Sequence, residues 1–253
     1  MNIGVFIFTL MRLFTFRSLV TTFVLTIAFP FILGVGAKAA EDAMVDSFIP
    51  TLLHSILPML IAYTLVADTV ANSKNLSDGE YLSLLFTRPI RRSTYVVTKW
   101  IAGTTGVAIC VYLAYAVFLG GAALVGASKG PDPVEILNIL LNCMSTTALV
   151  VVISAVPMRL GMFLFFTVFY LSMIGPMFSN YSSRSSEPAV TSIITGGFQL
   201  MQTVVTPTID LQDLVNSVAF SWTPVVNYAS NMVIYLLLAT YLMSRREFYY
   251  ASE

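Results

Sequence analysis

Side chains able to do acid–base, nucleophilic or metal chemistry are sparse in this chain and do not fall at catalytic spacings. His54 is the only histidine in 253 residues. No His-Glu-x-x-His pattern surrounds it, so a helical zinc site of that kind is excluded. Cys110 and Cys143 both lie in apolar stretches and read as small buried hydrophobes, not as a disulfide or metal pair. There is no Gly-x-Ser-x-Gly elbow for a nucleophile. No glycine-rich loop ends in Gly-Lys-Ser/Thr, so the chain cannot cradle ATP in that way. The chain reads as a non-enzyme with no cofactor of its own. What remains is aromatic and hydroxylic: His54, Tyr63, Tyr112, Tyr115, Tyr170 and Ser172 could line a path for a hydrophobic or amphiphilic molecule. The alternative for each tyrosine is an interfacial belt or a contact inside the protein.

Composition dictates the elements that would carry these residues. Hydrophobic residues make up 57% of the chain and charged residues only 10%, against about 25% charge in a soluble domain. The net charge is zero, from 13 basic and 13 acidic residues, which gives no reason to expect nucleic acid. The apolar residues come in long runs at 18–37, 48–67, 100–125, 134–156, 160–178 and 223–243. Each is near the ~20 residues needed to cross ~30 Å of hydrocarbon as a helix. The alternating strands of a barrel are absent from the sequence. The fold class expected is therefore an all-α membrane protein with six transmembrane helices, a single domain over 1–253. Arg12 and Arg17 before an apolar run, with Ala37-Lys38-Ala39 after it, resemble a signal peptide. The run is long for a signal core, and a retained span is expected. Gly196, Gly197, Gln199 and Gln202 interrupt a further apolar stretch, 189–205. Interfacial or re-entrant helices are preferred there; a seventh span would put the C-terminus outside.

Basic residues set the orientation. With six spans, Arg12, Arg17, Lys74, Arg88, Arg91, Arg92, Lys99, Arg159, Arg245 and Arg246 share one side, and only Lys38, Lys129 and Arg184 lie on the other. The first side is expected to be cytoplasmic, with both termini there, in a multi-pass cell-membrane protein. Pro157-Met158-Arg159 is a very tight turn, so the fourth and fifth spans should be antiparallel neighbours. Residues 179–222 should form an external loop with short helices. Residues 1–17 carry Phe6, Phe8, Phe14 and Phe16 among arginines. They fit either an interfacial helix or an extension of the first span.

The most informative polar segment is the cytoplasmic loop expected over 68–98. Ser77 and Glu80 have capping-box spacing, which predicts a helix from Asp78 to Thr87. Pro89 ends it. Glu80, Ser83 and Thr87 form a polar stripe; Tyr81, Leu84 and Leu85 form an apolar one. So short a helix is marginal alone and must dock on the membrane surface, on the ends of the spans, or on a partner. Ser93-Thr94-Tyr95 could begin the next helix, with Lys99 as an interfacial anchor. Gly103 and Gly106 would then share a face that permits close backbone contact.

In that segment the chain resembles a known family. Gly79-Glu80-Tyr81-Leu82-Ser83-Leu84-Leu85-Phe86-Thr87-Arg88-Pro89-Ile90-Arg91-Arg92-Ser93, followed by Lys99-Trp100-Ile101-Ala102-Gly103, is similar to the ABC-2 type permeases, the membrane subunits of one class of ATP-binding-cassette transporters. Gly79, Leu84, Leu85, Pro89, Arg92, Lys99 and Gly103 carry the likeness. Asn75 stands where many members have a glutamate, and Glu80-Tyr81-Leu82 replaces a common Thr-Leu-Glu, so the cognate ATPase is not implied. The resemblance implies six spans and a cytoplasmic coupling helix that docks on a separate ATPase. Tyr81, Leu84 and Leu85 would be contacts, with Glu80, Arg88, Pro89, Arg91 and Arg92 around them. It implies an N-terminal interfacial helix, a cytoplasmic ATPase dimer holding ATP and Mg, and a second copy or homologous permease within the membrane lipids. A membrane anchor that recruits a cytoplasmic complex without moving cargo is the alternative, and a bilayer-embedded enzyme a third. Ionisable residues deep in the spans are almost absent, and Asp68 lies at the inner end of the second span where water can reach it, so proton or sodium coupling is poorly supported.

Overall fold

The computed structural model describes residues 6–7, 10–11, 16–36, 52–67, 92–126, 133–156, 160–171, 196, 211 and 222–250, with the side chains of 16–19, 52, 54, 67, 92 and 246–250 excepted. Among the described residues all regular structure is helical. We label the longer helices α1 (16–36), α2 (52–67), α3 (Arg92–Leu124), α4 (Pro133–Ala155), α5 (Leu160–Leu171) and α6 (Thr223–Tyr250). Three of them, α3, α4 and α6, are long and apolar enough to cross a membrane. Shorter apolar helices cover Val20–Gly36, Leu57–Val66 and Leu160–Leu171.

Two prolines shape the first pair. α1 is α-helical over Phe16–Phe23, widens to a π-helix over Val24–Ala28 and returns to α over Phe29–Gly36. α2 begins as a π-helix over Leu52–Ile56, tightens over Leu57–Ala62 and widens again over Tyr63–Ala67. Pro30 and Pro58 each follow two residues after a wide stretch. A proline has no N–H, and its ring collides with the carbonyl four residues back. Widening the preceding turn removes that collision without breaking the helix, an adjustment tolerated in apolar surroundings because the remaining backbone groups stay paired. The third wide stretch, Tyr63–Ala67, has no such proline, and we have no physical account of it.

α3 is continuous from Arg92, eight residues before the expected start of the third span at Trp100. Residues 92–98, the end of the segment expected over 68–98, are thus helical, close to the helix start expected at Ser93-Thr94-Tyr95. At 33 residues α3 is about 50 Å long. That exceeds ~30 Å of hydrocarbon, so it tilts or projects. Gly126 ends it in the left-handed region at φ 73°, with its N–H donating to the Ala123 carbonyl. Pro133 opens α4, as its fixed φ favours, and Glu135 sits in the first turn where the helix dipole suits an acid.

α4 is the hub. From Asn138 to Ala155 most of its residues are buried, and α2, α3 and α6 all pack on it. α5 lies against it through Leu149, Ile153, Phe165 and Val168. That matches the neighbours expected of the fourth and fifth spans, although residues 157–159 lie outside the described residues. Lipid removes the hydrophobic drive between helices, so close contact relies on small residues and hydrogen bonds. α1 and α3 meet backbone to backbone. A Cβ on Gly34 would run into the Phe118 carbonyl, and one on Gly121 would lie 3.0 Å from the Phe31 carbonyl.

Candidate functional site

The residues expected to form the coupling helix, Glu80, Tyr81, Leu84, Leu85, Arg88, Pro89 and Arg91, lie outside the described residues, as does Ser172. Arg92 is the first residue of α3, and His54 lies on the first wide stretch of α2. What the structure describes is the joint between the helices that flank the 68–91 segment.

α2 ends and α3 begins at the same end of the bundle, against the last turns of α4. Gly103 makes this possible. A Cβ there would stand 2.9 Å from the Thr147 Cγ2 methyl and 3.0 Å from the Val66 Cγ2 methyl, so α2, α3 and α4 converge on one missing side chain. Gly106, on the same helix, is also buried. Lys99 lies one turn nearer the Arg92 end. It is 2% exposed, and its Nζ donates to Ser154 Oγ at 3.2 Å. Ser154 in turn donates to the Val151 carbonyl at 2.7 Å, which fixes its hydroxyl to accept from the lysine. Lys99 is therefore a cross-link between α3 and α4, not the interfacial anchor expected of it. Its apolar stem fills space in the bundle while its tip is hydrogen-bonded.

Aromatic donors hold α4 along its length. Tyr112 Oη donates to the Ile136 carbonyl at 2.9 Å, Trp100 Nε1 to the Met144 carbonyl at 3.0 Å, and Tyr228 Oη to the Leu141 carbonyl at 2.6 Å. A carbonyl has two lone pairs, so each can serve its own helix and a neighbour's side chain at once. Tyr115 donates to Glu135 Oε2 at 2.5 Å. Asn138 Oδ1 accepts the Leu211 N–H at 2.9 Å, which seats that residue of the 179–222 segment against α4. Further along, Asn142 Oδ1 and Thr147 Oγ1 are buried with no hydrogen-bond partner among the described residues. Other helical hydroxyls bond back to their own helix, as Thr98, Thr105 and Thr146 do.

The four candidate path residues whose side chains are described do not gather in one place. Tyr112 and Tyr115 meet the first turn of α4. Tyr63 stacks on Phe165 of α5, ring centroids 3.8 Å apart, and Tyr170 is 63% exposed on the outside of the bundle. Sequence reasoning passed over the polar stripe of α4: Asn138, Asn142, Ser145, Thr147 and Ser154 are all buried. The 138, 142, 145 spacing is helical and could have flagged it. No group of acidic, histidine and cysteine side chains suited to a metal ion occurs among the described residues.

A scan against protein-family models finds no match, and a search of curated proteins finds no significant relative.

Proposed function

We propose that this chain is the permease half of an ATP-driven transporter, with six spans, both termini in the cytoplasm and a separate ATPase as its motor. The observation that carries the proposal is the stretch from Gly79 to Gly103 and its likeness to the ABC-2 type permeases. It ends at a joint suited to transmitting motion: Gly103 packs between Thr147 and Val66, and Lys99 is tied to Ser154. In this mechanism the ATPase dimer closes on ATP and Mg and moves the coupling helix over 78–87. The movement enters the bundle through the adjoining ends of α2 and α3 and reaches α4 through the Lys99–Ser154 bond. Cargo is hydrophobic or amphiphilic, in keeping with an interior whose polar groups are mostly hydroxyls, amides and phenols. Two permeases, as a homodimer or with a homologue, frame its route.

Replacing both Leu84 and Leu85 with Asp tests this. The substitution puts charge on the apolar stripe of the docking helix. The variant should insert and fold as the parent does but lose co-purification with its ATPase. Undiminished co-purification overturns the proposal. Retained assembly in the parent with no cargo-dependent ATP hydrolysis would favour the anchor alternative.

A further inference from the structure

α6 is the helix least enclosed by the rest of the bundle, and its exposed residues form an ordered series. Trp222, immediately before it, is 68% exposed, and Tyr241 near its other end is 53% exposed. Val226, Val233, Ile234, Leu237 and Leu238 are exposed between them. From Thr223 to Ser244 there is no charged residue, and Arg245 follows at once. The Arg245 guanidinium lies over the Tyr241 ring, 5.3 Å from its centroid. At the α-helical rise the two exposed aromatics stand about 28 Å apart along the axis. That matches the ~30 Å thickness of a bilayer's hydrocarbon layer.

We infer that this face of α6 is covered by lipid and not by protein, with Trp222 and Tyr241 marking the two edges of the hydrocarbon. Indole and phenol rings favour the boundary where one side is greasy and the other wet. The guanidinium held over Tyr241 suits the phosphate layer, where a cation meets the headgroup phosphates and its stem stays in contact with apolar groups. A subunit interface needs none of this spacing. It would also favour small residues that let backbones approach, whereas Val233 to Leu238 presents large branched side chains. Asn227 and Ser230 are exposed too, in the half nearer Trp222. The most uniformly apolar part of the face is therefore the Val233–Tyr241 half. This inference needs only a membrane helix and stands apart from the transporter proposal. It requires any second permease copy to dock on other helices.

Nitroxide labels on single cysteines introduced at positions 222, 234, 238 and 241 test it. The full chain is reconstituted in vesicles of phosphatidylcholine and phosphatidylglycerol. Signal from the unsubstituted chain, whose two cysteines are buried, is subtracted. The ratio of oxygen to nickel-complex accessibility should be several-fold higher at 234 than at 222 or 241, with mobile spectra at 234 and 238. Immobile labels at 234 and 238 that reach neither reagent, or dipolar broadening between copies, would assign the face to protein and overturn the inference. Ready access of the nickel complex to 234 would assign it to water, with the same result.

Discussion

Lys99 combines two contributions that substitution can separate. Its stem fills space between α3 and α4, and its amine donates to Ser154. Interhelical hydrogen bonds in membrane proteins are worth about 0.6 kcal/mol on average, because the unfolded chain in lipid also finds partners. Truncating a buried long side chain leaves a cavity and costs roughly 2–4 kcal/mol. Ser154→Ala should therefore be nearly neutral, Lys99→Met intermediate and Lys99→Ala clearly destabilising. Cys110 and Cys143 are free and buried, so a thiol-reactive dye in detergent reports unfolding directly. An apparent Tm as low for Ser154→Ala as for Lys99→Ala would mean that the hydrogen bond, not the packing, dominates. The sequence located the helix start at Ser93-Thr94-Tyr95 to within a few residues of Arg92. It did not mark which side of that helix meets α4, and it is that side which carries Lys99 and buries it.

Among the helices, two close contacts differ in what would have to yield. At Gly103 the obstacles are methyl groups of Thr147 and Val66, which can shift by a rotamer or a few tenths of an ångström. At Gly34 the obstacle is the Phe118 carbonyl, part of the α3 backbone. Gly34→Ala must push α1 and α3 apart, whereas Gly103→Ala need only disturb side chains. Overpacking costs typically about 1–3 kcal/mol, and Gly34→Ala should fall at the upper end and Gly103→Ala at the lower. The same dye assay ranks them, and the reverse order would mean that α1 is held more loosely than its backbone contact implies. The long apolar runs of α3, α4 and α6 were legible because nothing interrupts them. The antiparallel packing of α4 and α5 was legible from the short connection at 157–159. The wide turns of α1 and α2 were not. Pro30 and Pro58 signal local strain, but hydrophobic periodicity does not say whether a helix will kink, break or widen.

For the molecule as a whole, orientation is the largest commitment. In the proposed topology the bias of the basic residues puts Arg245 on the cytoplasmic side, with the proposed ATPase. A cysteine in place of Arg245 should resist an impermeant label in intact cells and react after permeabilisation; prompt labelling from outside would invert the proposed topology. The candidate path was less legible than the spans. Tyrosine type and position cannot distinguish a ring that stacks on Phe165, as Tyr63 does, from one that faces outward, as Tyr170 does. That difference depends on which side of each helix meets its neighbour, and long apolar runs in lipid leave the side weakly marked.

The unbroken course of α3 has a mechanical consequence. Its two glycine contacts, Gly103 against α2 and α4 and Gly121 against α1, stand about 27 Å apart on one rod. An uninterrupted helix resists bending between two such bearings. A pull on its Arg92 end is therefore not absorbed midway: it must roll or slide the far end over α1. Under the proposed mechanism, the seam between α1 and α3 is then where a push from the motor side would emerge as a change in shape on the opposite face.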